Sequence, residues 1–250
     1  MKVVARFIVL SFVFCFGTCT SPAQNAAKPS DSIYTYATGS GDGTGKYYMG
    51  REIAHIVSGS ATTWLERDNR EQEENSNLAI EKMALKPGEV VADIGAGSGY
   101  YSFKIAEKVP QGKVYAEDVQ DEMINFLNNK KQKLNTKNVE VVKGTDSSVN
   151  LPQASVDLAL MVDVYHELEY PHETLQSIRN ALKPSGKLLL IEYRAEDPSV
   201  HRSRLHKTTV KQLNKELGAN GFKLAYLGEF LPIQHFLVYQ MNNKQSTQKE

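Results

Sequence analysis

From residue 50 onward the chain alternates two hydrophobic patterns, a helical repeat of three to four residues and short, nearly continuous apolar runs. Residues 61–84 carry the helical repeat, broken near Asn75-Ser76 into two helices and ended by Pro87-Gly88. Residues 89–94 read as a first strand. Tyr100, Phe103, Ala106 and Val109 then recur every three residues and give the next helix one apolar side. A strand is predicted at 113–117, and Met123, Phe126, Leu127 and Leu134 mark the buried face of a helix over 121–134. Residues 139–142 and 156–162 form the third and fourth strands, the latter almost wholly apolar, as a strand covered on both faces must be. Leu175, Ile178 and Leu182 line a helix ending at Lys183-Pro184, and 187–193 is a fifth strand. Thr209 and Gln212 are placed as a capping box for a helix carrying Val210, Leu213 and Leu217. Strands at 222–227 and 235–240 follow.

Alternating strand and helix predicts an α/β fold built on a doubly wound, mostly parallel sheet of seven strands. The last two strands have no helix-length segment between them, so they pair antiparallel and the sheet ends on a reversed strand. A dinucleotide-binding oxidoreductase would instead end on a parallel strand.

The chain has 250 residues, 41% of them hydrophobic, and its 29 basic and 29 acidic residues balance to zero. That balance argues against nucleic acid as a main partner. Lys2 and Arg6 precede an apolar stretch over 7–16, too short to span a bilayer, which needs ~20 residues. Residues 1–20 are therefore expected to be an export signal, leaving the protein periplasmic or membrane-attached. Both cysteines, Cys15 and Cys19, lie within it, and Cys19 is a loose match to a lipidated cysteine. Residues 21–49, with GSGDGTG at 39–45, have the composition of a flexible linker, and 242–250 that of a frayed tail.

The strongest chemical signal is VVADIGAGSGYYS at 90–102. An apolar strand ends in Asp93, a loop carries Gly95, Gly97 and Gly99, and a helix follows with free N–H groups at its start. Ligands of open α/β sheets bind at such strand ends. An acidic residue there suits a ligand bearing a cationic amino group. The second strand ends in Glu117-Asp118, where a carboxylate can accept two hydrogen bonds from a ribose diol. Asp118 is expected to face the cleft and Glu117 to point elsewhere, with the roles exchanged by a one-residue slip. Thr145 and Asp146 follow the third strand, where either could hold an adenine amino group.

These segments, together with VYAEDVQDEM, LALMVDVYHEL and ALKPSGKLLLIEYR in this order, resemble the class I S-adenosylmethionine-dependent methyltransferases over about 50–240. The resemblance implies S-adenosylmethionine as cofactor, with Asp93, Gly95 and Gly97 at its methionine end, Asp118 at the ribose and Asp146 at the adenine. Ala96, Gly99, Tyr100, Val119, Thr145 and Asp163 complete the expected contacts. It also implies that residues 50–86 form a helical lid over the cleft of a domain spanning 87–241.

Methyl transfer asks mainly for alignment of acceptor and methyl group and for exclusion of water. A base is needed only where an N or O acceptor must lose a proton. The candidates follow the fourth strand: Asp163, Tyr165 against the acceptor, and His166 as base, with Glu167 beside it. A supporting network at a helix start is the other reading of His166 and Glu167. Trp64, Arg67 and Arg70 share a helical face, with Glu71, Glu73 and Glu74 as ion-pair partners and Trp64 expected in the core. His201, His206 and Lys207 lie on a loop bordering the acceptor side. His166, His201 and His206 lack metal-ligand spacing, so no metal is expected. The expected activity is methyl transfer to a small-molecule acceptor, with an exported, non-catalytic binding protein of the same fold as the alternative. Oligomeric state and acceptor atom are not encoded in any motif.

Overall fold

The computed structural model describes residues 33–242. The expected signal segment with Cys19, the start of the expected linker and nearly all of the expected tail lie outside the described residues.

The linker reading fails from residue 34 onward. Strands β1 (Tyr34–Tyr36), β2 (Gly43–Tyr48) and β3 (Arg51–Ala54) form an antiparallel sheet in that order. Its tight turn is Met49-Gly50, both with positive φ (49° and 90°), the geometry that matches hairpin twist. Composition misled here because the strands bury polar groups beside apolar ones. Lys46 and Glu52 are both buried, and Glu52 accepts hydrogen bonds from the Ser40 amide and hydroxyl at 2.8 Å. Tyr34, Tyr48 and Ile53 supply a small core.

Three short helices follow: α1 (Thr62–Leu65), α2 (Arg70–Glu74) and α3 (Ser76–Lys82). Asn75 at φ 54° breaks the last two, where the sequence places the interruption. Beyond them come β4 (Val90–Ile94), α4 (Tyr100–Lys108), β5 (Lys113–Asp118), α5 (Asp121–Leu134), β6 (Val139–Lys143) and β7 (Val156–Val162). The chain ends through α6 (Pro171–Ala181), β8 (Leu182–Tyr193), α7 (Val210–Ala219), β9 (Phe222–Gly228) and β10 (Gln234–Met241). Helix α5 illustrates the local logic: Asp121 and Glu122 open it, Lys131 and Lys133 close it, and Asn135 caps it in the left-handed region. At α7 half of the capping box forms, the Thr209 hydroxyl accepting from the Gln212 amide at 3.1 Å, while the Gln212 side chain reaches Glu216 instead.

The seven strands β4–β10 make one sheet in the order β6-β5-β4-β7-β8-β10-β9, parallel except that β10 runs antiparallel to both neighbours. The fold is thus the expected doubly wound α/β sheet with a reversed last strand. Side chains alternate across it: Ala92 and Ile94 pack with α6 and α7 on one face, Val91 with α3, α4 and α5 on the other. Helices therefore cover both faces. Strand order reverses at β4, between β5 and β7, and a crevice opens there at the carboxyl ends of the strands.

Candidate functional site

A cavity of about 850 Å³ occupies that crevice, at the upper end of the ~300–1,000 Å³ usual for small-molecule sites. Its floor is made by the ends of β4, β5 and β7, and its other wall by the N-terminal hairpin and α1–α2, including Ile53, Ile56, Trp64 and Arg70.

Asp93, Gly95, Ala96, Gly97, Tyr100, Asp118, Val119, Thr145, Asp146 and Asp163 all line the cavity. Gly95 has φ 66°, and a β-carbon there would lie 2.6 Å from Val164, so the loop requires glycine. Gly99 departs from the expected set. It does not line the cavity; a β-carbon would strike Phe103 and Leu127 at 2.6–2.7 Å, so it serves helix packing beneath the loop.

Both residues that end β5 face the cavity, which corrects the expectation that Glu117 points elsewhere. Side chains alternate along a strand, but Asp118 is its last residue and is free to turn back toward the loop. Asp118 accepts from the Gly97 and Gln120 amides, each at 2.9 Å, and Glu117 accepts from the Gly95 amide at 3.2 Å. Asp93 accepts from the Ser102 hydroxyl at 2.5 Å. Burial raises all three carboxyls. Asp93 is pushed up to about 6, the burial opposed by the Ser102 hydroxyl and the Arg70 charge and reinforced by Asp118. Burial also lifts Asp118, against three backbone N–H groups, and drives Glu117 far above its ordinary range, reinforced by Asp118 and Asp93. Asp163, at φ 54°, is likewise raised by burial and by Glu74 and Glu192; Gln234 donates to one oxygen at 2.7 Å while the other, buried, has no hydrogen-bond partner. The floor is therefore rich in desolvated carboxyl groups, with Arg70 near Asp93 and Asp163 and Lys143 near Glu117 and Asp118 as cations.

The loop after β7 corrects the expected catalytic set. Tyr165 is fully buried and lies outside the cavity lining, its hydroxyl donating to Glu216 at 2.7 Å and its ring 5.2 Å from the Arg51 guanidinium. It supports the scaffold. His166 lines the cavity but is only 1% exposed, and both ring nitrogens are engaged: Nδ1 lies 2.7 Å from Glu192 and Nε2 3.0 Å from His206 Nδ1. Burial would lower its pKa, but Glu192 and Glu167 outweigh burial and lift it to about 10. An imidazole already protonated at neutral pH is a poor base. Glu192, a carboxylate alone in the apolar strand LLLIEY, escaped the sequence reading although a charge buried there demands a partner.

The lid residues divide. Arg67 and Arg70 both pair with Glu74, at 2.6 and 2.8 Å, and Tyr193 donates to the same carboxylate at 2.9 Å, fastening α2 to β8. Trp64 is not in the core: it is 43% exposed, lines the cavity and stacks with Arg67 at 4.3 Å. Helix α1 is too short to bury it. His206 reaches the cavity, whereas His201 and Lys207 do not. Among the described residues, the atoms that could hold a metal are those of His166, Glu167 and His206, within 4.8 Å of one another; spacing along the chain hides this because 40 residues separate the histidines.

A family model described as a methyltransferase domain matches residues 85–245, nearly two thirds of the chain. The chain belongs to the methyltransferase domain family. A crystal structure of an S-adenosylmethionine-dependent methyltransferase from Aquifex aeolicus is similar to this methyltransferase-family chain at 27% identity and a TM-score of 0.70, covering 74% of it and 100% of the other. A protein-L-isoaspartate O-methyltransferase from Pyrococcus horikoshii is 31% identical over 113 residues, 45% of this chain and 48% of the relative. A ubiquinone/menaquinone biosynthesis C-methyltransferase from Ectopseudomonas mendocina is 28% identical over 118 residues, 46% of each. The chain spans about half the length of these curated relatives. The fold alone does not fix the chemistry, since a [4+2]-cyclase shares it at a TM-score of 0.56 and 20% identity.

Proposed function

We propose that the protein transfers the methyl group of S-adenosylmethionine to a small-molecule acceptor. The observation that carries this reading is the carboxyl-rich floor. Asp93, Glu117 and Asp118 are desolvated at the ends of adjacent strands, which raises their proton affinity and makes a cationic ligand favourable. The residues present fit the cofactor. Asp118 would hold the ribose, Thr145 and Asp146 the adenine, and Asp93, Gly95, Ala96 and Gly97 the methionine end; the unpartnered oxygen of Asp163 offers a further acceptor for an ammonium group. When bound, the cofactor supplies an activated methyl group and a neutral thioether as leaving group.

The chain's own residues do the rest. The hairpin and α1–α2 wall one side of the crevice, and Ile53, Ile56, Trp64 and Leu168 offer an apolar surface for the acceptor. Asp163 and Val164 fix the loop beside Gly95, so acceptor and cofactor share one cavity. The two curated relatives are named for different acceptors, so the partly apolar cavity is the better guide and supports a small molecule.

The test is to incubate the full chain with S-adenosylmethionine and fractionated, protein-free metabolite extracts and to follow S-adenosylhomocysteine by mass spectrometry. Product that requires both extract and enzyme, and that Asp118→Ala suppresses, is expected. Cofactor bound without product in any fraction would contradict the reading.

A further inference from the structure

His166, Glu167 and His206 line the same cavity, and the proposed cofactor contacts leave them unused. Three atoms converge. His166 Nε2 and His206 Nδ1 are 3.0 Å apart, His166 Nε2 and Glu167 Oε1 3.6 Å, and His206 Nδ1 and Glu167 Oε1 3.3 Å. Ligand bonds of ~2.0–2.1 Å at tetrahedral angles put neighbouring ligand atoms roughly 3.3–3.4 Å apart. The triangle therefore already has the size of one face of a coordination sphere.

The neighbours orient two of these ligands from behind. Glu192, fully buried and fixed by the Val164 and Tyr165 amides at 3.1 and 2.8 Å, sits 2.7 Å from His166 Nδ1. That contact keeps a proton on Nδ1 and turns Nε2 toward the triangle, the carboxylate–histidine support common behind metal-ligating histidines. The Val57 amide donates to Glu167 Oε2 at 3.0 Å, leaving Oε1 to face the histidines. All three side chains line the cavity, so positions beyond this face are open to a ligand in it.

We propose that His166, Glu167 and His206 form a two-histidine, one-carboxylate site for a divalent transition-metal ion, of which zinc is the probe, at the acceptor end of the cavity. The donor set suits zinc and its first-row neighbours better than calcium or magnesium, which prefer oxygen. Its role rests on the methyltransferase reading. The ion lowers the pKa of an acceptor hydroxyl, whose proton passes to water. The hydroxyl oxygen then bonds to the methyl carbon as the carbon–sulfur bond breaks, its electron pair remaining on sulfur. The ion displaces the proton from His166 Nε2 while Nδ1 stays against Glu192, so the site removes the need for a side-chain base.

The test uses the full chain, stripped with a chelator and dialysed, and titrated with zinc against a chromogenic competitor. One zinc per chain is expected, with affinity falling at least 100-fold in both His206→Ala and Glu167→Gln, and visible d–d absorption on cobalt substitution that both variants lose. Glu192→Gln, which removes only the support behind His166, should keep the site with roughly 10–100-fold lower affinity. Absence of stoichiometric zinc, or zinc binding equal in the parent and both variants, would overturn the proposal and leave a hydrogen-bonded cluster. S-adenosylmethionine binding is measured on the same stripped protein, so loss of the metal site and loss of the methyltransferase reading are separate results.

Discussion

Asp93 carries the electrostatic character of the site. Its carboxyl is held at about 6, above its ordinary value near 3.8, so the folded protein keeps a proton there that the unfolded chain has released. That contribution to stability is complete below pH 4 and is lost as pH rises through about 6. A cationic ligand reverses the preference by favouring the carboxylate. Cofactor affinity should therefore rise about tenfold from pH 5 to 7.5 and level off above 7, which calorimetry in buffers of differing ionisation heat will show as proton release. At Asp118, Ala substitution removes the acceptor of two loop amides together with the proposed ribose contact. Roughly 10–100-fold weaker cofactor binding is expected, from ~1.5–3 kcal/mol for hydrogen bonds to a charged group, with circular dichroism unchanged. Tyr165→Phe tests the corrected role of that residue. It should lower stability by about 1–3 kcal/mol by removing one hydrogen bond to the buried Glu216, which keeps Arg51 and Gln212, measured by urea unfolding, and leave KM for the acceptor unmoved.

Among the elements, the N-terminal hairpin is the one that changes the picture of the site. Arg51 on β3 makes a bidentate pair with the fully buried Glu216 on α7, at 2.8 and 2.9 Å, and donates to the His166 carbonyl at 3.0 Å. One guanidinium thus ties the hairpin, the last helix and the loop bearing the acceptor-side residues. Arg51→Ala should destabilise the protein by about 3–5 kcal/mol, because it strands a buried carboxylate, and the loss should appear in the urea midpoint. The hairpin was hidden in the sequence for a physical reason. Its buried positions include Lys46 and Glu52, so no apolar alternation marks it, and its turn is Met49-Gly50 in place of the Asn-Gly or Asp-Gly that signals such turns. The bounds of helix α5, by contrast, were legible from Met123 and Leu127, which are buried as read, whereas Leu134, placed on the same face, is exposed at the helix end. The strands of the sheet were legible because burial on both faces leaves continuous apolar runs, as in β7.

For the whole molecule, the reversed last strand could be inferred because too few residues separate β9 and β10 for a crossover. That topology and the glycine loop placed one edge of the crevice. Its opposite edge comes from residues distant in sequence, Glu192 behind His166 and His206 against Glu167, which only the folded sheet brings together. Periodicity reports which face of an element is buried; it carries no information on which loop meets another across a cleft. The proposed activity depends on one occupant of one cavity. A crystal structure of the full chain soaked with S-adenosylmethionine tests it most directly. Expected is density with the ribose at Asp118, the adenine beside Thr145 and Asp146, and the methyl group directed toward His166. Density elsewhere, or a cavity that takes up a nicotinamide dinucleotide in preference, would contradict it.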